Sequence, residues 1–199
     1  MIEPQRMISL VLATHNAHKV IELRKILGSS LEGIDLMAYE GPEPVEDGDT
    51  FEANALIKAR AAFAHTGLPA IADDSGISVA ALGGAPGIHS ARYAGTRDDA
   101  DNVALLIENL RRVDDRSAQF VCVAAYAGPG FEHTVRGIWP GTVLEEPVGG
   151  GGFGYDPVFK PAGYSVSAAE LHADEKNMIS HRAQAFAALM SVIRPQLLS

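Results

Sequence analysis

Short apolar runs alternate along the chain with stretches whose apolar residues recur at helical spacing. Ile8-Ser9-Leu10-Val11-Leu12-Ala13 reads as a buried strand, and Thr14-His15-Asn16 as a capping segment. The spacing of Val20, Leu23 and Leu27 predicts a helix over residues 17–27, closed by Gly28. A second strand is predicted at residues 34–38. Asp49 is expected to cap the next helix, with Glu52 at the capping-box position. That helix, residues 50 to about 65, places Phe51, Ala55, Ala59, Ala62 and Phe63 on one face. Residues 69–71 and 77–79 read as two short strands flanking Asp73-Asp74-Ser75-Gly76. A helix over residues 99–112 turns Val103, Leu106, Ile107 and Leu110 inward, and residues 119–126 and 131–139 form a β-hairpin through Gly128-Pro129-Gly130. The last segment opens at residue 168 and runs to 193. Its stripe Ile179, Ala183, Phe186, Met190, Ile193 leaves Lys176, Asn177, His181 and Arg182 off the apolar face, and Pro195 is expected to end the helix. Strands interleaved with helices, plus one hairpin, define an α/β fold with a mixed sheet.

Length and composition narrow the classes. With 199 residues, 47% of them hydrophobic, the chain builds one compact domain with a substantial core, and that length allows two lobes. Residues 8–195 are assigned to the domain. Residues 1–7 are left as an extension, read as disordered or as a start misassigned to Met1 instead of Met7. A formal net charge of −9 argues against binding DNA, RNA or an anionic membrane. A small phosphorylated ligand remains compatible, given a local cluster of Lys, Arg and metal. Cys122, the single cysteine, cannot form an internal disulfide. In the apolar run 120–125 it reads as a buried small hydrophobe in a reducing compartment, with a catalytic thiol as the alternative. With no signal region and no apolar run near the roughly 20 residues of a membrane span, a cytoplasmic protein is expected. No H-E-x-x-H, C-x-x-C, G-x-S-x-G or zinc-like cluster is present.

The candidate chemistry centres on Asp73 and Asp74. Two acids in an apolar strand context lose hydration unless a cation meets them, either Mg²⁺ or a Lys/Arg pair. Strand side chains alternate, so only one of the two faces a given cleft unless Gly76 permits a bulge. The competing reading is a plain turn with an Asx or Ser hydrogen bond. Around Thr14 to Lys19, strand, turn and helix N-terminus form a geometry that offers backbone N–H groups to an anion, although no Walker A or G-x-G-x-x-G pattern is present. Asn54 and Lys58, four residues apart, share a helix face that otherwise reads as solvated. The loop 81–95 is long and glycine-rich, with Arg92 its cation; Trp139 reads as a packing aromatic. Four glycines at 149–152 ahead of Phe153-Gly154-Tyr155-Asp156 mark a place where backbone bends tightly or touches something closely.

Six stretches in order carry a resemblance. They are residues 12–19; residues 46–55 with Lys58-Ala59; residues 72–76; residues 84–87 with 90–95; residues 152–157; and residues 175–177 with 180–182. Together they resemble the inosine triphosphatase family, also called Ham1-like or non-standard purine nucleoside triphosphate pyrophosphatases. The likeness spans residues 8 to 190. His15 stands where many relatives have glycine, and Asp47 follows Glu46 at a variable position. The resemblance implies a two-lobed α/β protein with a long mixed sheet and a nucleotide cleft between the lobes. It also implies Mg²⁺ dependence, a homodimer, and hydrolysis of ITP, dITP and XTP to the monophosphate and pyrophosphate. On that reading Glu46, Asp73 and Asp74 are the metal ligands. Asp74 activates or orients the water that attacks the α-phosphorus, with the two aspartates interchangeable at this stage. Lys19, Lys58, Lys176 and Arg92 clamp the triphosphate. The segment Thr14, His15, Asn16, Ala17, His18, Lys19 and Ser75 donates to it, and Asn54 belongs to the same substrate-binding set. Phe153, Gly154, Tyr155 and Asp156 receive the purine, and His181 and Arg182 donate to its 6-oxo group. Donors aimed there reject adenine; exclusion of GTP needs a penalty at the 2-amino position that no residue identifies.

Two further readings compete: a related pyrophosphatase for modified pyrimidine triphosphates, and a non-catalytic nucleotide-binding regulator. The regulator leaves unexplained the carboxylates beside the cations, which repel phosphate unless a metal is bound. An RNA-binding module comes third, and the net charge counts against it.

Overall fold

The structure, a computed structural model, describes residues 7–198. The extension expected at residues 1–7 thus lies outside the described residues except for Met7, which is exposed. The elements are β1 (Ile8–Leu12), α1 (Ala17–Leu27), β2 (Ile34–Ala38), α2 (Phe51–Thr66), β3 (Ala70–Val79), α3 (Asp99–Asn109), β4 (Ser117–Gly128), β5 (Phe131–Val143), β6 (Phe159–Pro161), α4 (Ala173–Ile179) and α5 (His181–Leu197). The strands form one 6-stranded sheet in the order β2-β1-β3-β4-β5-β6. It is mixed: β1 lies parallel to β2, with Ile8 beside Ile34, and parallel to β3, whereas β5 and β6 are antiparallel. The expected α/β fold with a mixed sheet is borne out.

The chain divides into two compact units. One comprises the chain up to Asp74, Val123–Arg136 and the chain from Arg182 onward; the other comprises Ser75–Cys122 and Gly137–His181. In the first unit the sequence stripes are buried as their spacing requires: Leu10 and Leu12 on β1, Leu23 and Leu27 on α1, Ala55, Ala59 and Ala62 on α2, and Phe186, Met190 and Ile193 on α5. Asn16 caps α1 by accepting from the N–H groups of His18 and Lys19. In the second unit Ile77, Val79, Val103, Leu106, Leu110, Phe120, Trp139 and Phe159 belong to one core cluster. Trp139 packs there, as read from the sequence, with its ring 5.4 Å from that of Phe159. Cys122 is fully buried on β4.

Several elements depart from the sequence reading. The acids do not sit in a turn between two strands: β3 runs without interruption through Asp73-Asp74-Ser75-Gly76. Gly76 introduces no bulge there. A Cβ at this position would collide with the Gly87 carbonyl and Ser90 Oγ, so the glycine lets a 3₁₀ segment, Gly87–Arg92, lie directly against the strand. Ser90 Oγ accepts from the Ile77 N–H at 3.0 Å and donates to the Gly87 carbonyl at 2.7 Å. The cap of α2 is Thr50, whose hydroxyl accepts from Ala53 N–H, and not Asp49. The C-terminal segment is two helices, because Ser180 takes extended backbone (ψ 159°) between them. Pro195 does not terminate α5. Its missing N–H removes a single hydrogen bond in the final turn, and the helix continues to Leu197. The three-residue β6, ending in proline, was too short to leave a periodic signal.

Candidate functional site

In the first unit, strand alternation sends the two aspartates to different partners. Asp73, whose side chain has no exposure, accepts from Lys19 Nζ at 3.0 Å, and Arg182 Nη2 lies 3.4 Å from the same oxygen. Arg182, only 2% exposed, also holds Glu22 of α1. Burial opposes ionisation of Asp73, but Lys19, Arg182 and Lys58 overturn it and hold the carboxyl well below the usual range. Asp74 is met instead by Lys58 Nζ at 3.0 Å, and the same ammonium reaches Glu46 at 3.0 Å. Burial pushes the Asp74 carboxyl up, and the Lys58 ammonium offsets this only in part. For Lys58 burial works downward, but Asp74, Asp73 and Glu46 outweigh it and raise its pKa. Both members of the Lys58–Asp74 pair thus hold protons more firmly than usual, for different reasons: the lysine through its anionic neighbours, the aspartate through desolvation.

Asp73 and Glu22 are balanced by Lys19 and Arg182, whereas Glu46 and Asp74 share one ammonium and leave one negative charge in a largely buried site. Asp74 Oδ2 is also buried without a hydrogen-bond partner. Hard carboxylate oxygens with surplus negative charge fit a divalent cation such as Mg²⁺, which keeps waters and uses one or two protein carboxylates alongside substrate phosphates. The three acids expected to share a cation therefore separate: Glu46 and Asp74 fit, while Asp73 is engaged by two cations. No group of three or more His, Cys, Asp and Glu side chains poised around a metal position occurs among the described residues.

The rest of the first-unit set lies on loops and helix starts. Thr14 is half-buried; His15, Asn16, Ala17 and His18 are exposed. Thr14 Oγ1 accepts from Asn16 N–H at 3.2 Å. His15 Nε2 is 3.1 Å from the Gly41 carbonyl. Asn54, expected on a substrate-binding face, is 3% exposed and accepts from the Gly48 N–H at 2.9 Å, so its carboxamide fastens the acidic loop.

The second unit holds the remaining residues. Asp156, 3% exposed, accepts from Phe153 N–H at 2.9 Å and from Lys176 Nζ at 2.6 Å. Lys176, also buried, stands 5.3 Å over the Phe153 ring. The structure thus brings Lys176 onto Phe153 and Asp156. Gly152 is required because a Cβ there would strike the Asp156 carboxylate. Gly154 N–H donates to Asp99 at 2.7 Å. Tyr155 is a core residue: its hydroxyl donates to the Ser90 carbonyl at 2.8 Å, and burial, then Tyr93 and Asp99, push its pKa up. His181, 4% exposed, stacks on Phe120 with centroids 4.8 Å apart and planes 10° from parallel. Ser75 is half-buried and Arg92 is exposed on its 3₁₀ turn. Glu22 and Asp99 were missed by sequence reasoning. Glu22 meets Arg182 from 160 residues away, which no local spacing signals, and Asp99 carried no signal beyond its place at a helix start.

Two acids on one strand of a mixed-sheet α/β fold, matched by lysines of α1 and α2, set the class of protein. The sequence profile of the Ham1 family matches residues 10–192, and the chain belongs to that family. A dITP/XTP pyrophosphatase of Leifsonia xyli is 54% identical over 192 residues, 94% of this chain and 96% of that one. A dITP/XTP pyrophosphatase of Mycobacterium tuberculosis is 50% identical over 193 residues, 93% of this chain and 95% of that one. A HAM1 protein of Coxiella burnetii has the same fold with a TM-score of 0.86 and 43% identity, over 95% of this chain and 100% of that one.

Proposed function

We infer that this chain hydrolyses non-standard purine nucleoside triphosphates, dITP, ITP and XTP, to the monophosphate and pyrophosphate, and so removes them before incorporation into DNA or RNA. Relatives at about half identity or more carry the name dITP/XTP pyrophosphatase over nearly the whole chain. The observation that carries the reading is the Glu46–Lys58–Asp74 triplet, with its surplus negative charge and partnerless Asp74 oxygen.

Glu46 and Asp74 are the residues that would hold Mg²⁺. When bound, the ion neutralises part of the triphosphate charge and polarises the phosphoryl group. Asp74 is the base: it takes a proton from water as the water oxygen bonds to the α-phosphorus. The bond from that phosphorus to the bridging oxygen breaks, and pyrophosphate leaves. Lys58 holds Asp74 in place, and Asp73 holds Lys19 and Arg182. The turn Thr14, His15, Asn16, Ala17, His18, Lys19, with Ser75 and Arg92, supplies donors to the phosphates. Phe153 receives the purine on its ring, Lys176 and Asp156 fix that ring, and Gly154 and Tyr155 shape its surroundings. His181 donates to the 6-oxo group; Arg182, turned onto Glu22 and Asp73, supports the acids instead. The homodimer and the cytoplasmic location implied by the family likeness belong to the same proposal. No helix among the described residues is long and apolar enough to cross a membrane.

The test is product analysis with ITP, XTP, GTP and ATP, with and without Mg²⁺. Pyrophosphate from ITP and XTP, only with the metal, is the expected result. Orthophosphate with a diphosphate product would overturn the bond assignment. Tight, metal-independent nucleotide binding without pyrophosphate would point to the regulator, and preference for a modified pyrimidine to the related enzyme.

A further inference from the structure

The loop that carries Glu46 runs from β2 to α2 without secondary structure of its own, yet it is pinned at both ends. At its start, Tyr39, 5% exposed, donates its hydroxyl to the Pro42 carbonyl at 3.1 Å. Its ring fills the space that a Cβ on Gly41 would need. His65 packs edge-on against that ring, with centroids 5.8 Å apart and planes at 89°. At its end, Gly48 N–H donates to Asn54 Oδ1, and a Cβ on Gly48 would come within 2.6 Å of that oxygen. Glu46 lies between these pins and reaches Lys58.

A third tie has a different character. His15 is exposed and belongs to the anion-facing turn, yet its side chain leans away to the loop. Nε2 is 3.1 Å from the Gly41 carbonyl, and the ring lies 5.6 Å from that of Tyr39. A carbonyl only accepts, so Nε2 carries the proton in this bond. One hydrogen bond therefore joins the segment suited to phosphate with the loop that presents a metal-binding carboxylate.

We propose that His15 is a positioning residue that couples the two. Phosphate seated on Thr14–Lys19 fixes His15, which through Gly41 fixes the loop, so Glu46 and Asp74 take a divalent cation more tightly with nucleotide present than without it. By linkage, the cation strengthens nucleotide binding by the same factor. This rests on the function proposed above and concerns binding rather than the chemical step.

The experiment measures the dissociation constant of a non-hydrolysable α,β-imido ITP by calorimetry, with and without a fixed Mg²⁺ concentration, for the parent, His15→Ala, His15→Gln and Tyr39→Phe. The ratio of the two constants reports the coupling. Association of Mg²⁺ with the analogue in solution is common to all four proteins and cancels between them. His15→Ala should lower the ratio by about 5- to 10-fold. His15→Gln, which keeps an N–H donor, should restore most of it. Tyr39→Phe, which removes only the bond to Pro42, should lower it in the same direction. If His15→Ala weakens the analogue equally with and without Mg²⁺, or changes neither constant, the coupling is overturned; equal weakening would make His15 an ordinary phosphate contact. The ratio is read without turnover, so a parent that released no pyrophosphate from ITP would sink the proposed function separately.

Discussion

Asp73 and Asp74 are consecutive in sequence and opposite in electrostatic behaviour, because β3 turns one toward Lys19 and Arg182 and the other toward Lys58 and Glu46. The contrast predicts opposite stability effects. Asp73 has a lowered pKa, so its contribution is present above the unfolded carboxylate value of about 3.9 and fades as pH falls toward the folded value. Replacing it with Asn takes the carboxylate from part-buried Lys19 and one of two from Arg182, which keeps Glu22, and should cost about 1–3 kcal/mol near neutral pH. Denaturant titrations should find the difference from the parent constant from pH 5 to 8 and shrinking below pH 4. Asp74 has a raised pKa, so its contribution is fullest below the unfolded value and is lost as pH rises through the folded one. Without metal at pH 7, Asp74→Asn should be at least as stable as the parent while pyrophosphate release falls by several orders of magnitude. Near-normal turnover would remove Asp74 from the mechanism. Such a residue trades stability for function.

At the scale of elements, the helix starts place the charged groups. Lys58 lies on the third turn of α2, whose entry is fixed by Thr50. Thr50→Ala should destabilise by about 1 kcal/mol, and Asp49→Ala by a few tenths at most, in equilibrium unfolding. The reverse order would restore Asp49 as the cap. The broken C-terminal segment shows what helix periodicity could not predict. The stripe from Ala183 to Ile193 was read correctly from its spacing, and those residues are buried. Lys176, His181 and Arg182 were read as an off-stripe polar set, yet each is buried, because Ser180 breaks the helix and redirects the chain. The hydropathy pattern locates the stripe but does not report that a polar side chain has found a carboxylate or an aromatic ring to cover it.

For the whole molecule, a cation held by Glu46 and Asp74, as proposed above, would link metal to folding stability. A cation that binds only the native state at ten times its dissociation constant adds about 1.4 kcal/mol. In a chain of this length that corresponds to a rise in Tm of roughly 3–6 °C. Thermal melts of the parent over a Mg²⁺ series should follow that curve, and Asp74→Asn should lose most of the increment. An equal rise in both would place the ion elsewhere.

The sequence by itself determined the α/β class, most strand and helix positions, and the residue types gathered for chemistry. These follow from local periodicity, and the six ordered stretches carried the family. Only the tertiary structure decided which acid meets which base. Lys19 with Asp73, Lys58 with both Glu46 and Asp74, and Arg182 with Glu22 join residues 12 to 160 positions apart. It likewise set the Asn54 carboxamide against the Gly48 N–H and the His15 ring against the Gly41 carbonyl. Pairings at such separations depend on strand register and helix packing, and no local pattern of hydrophobic and polar residues encodes them.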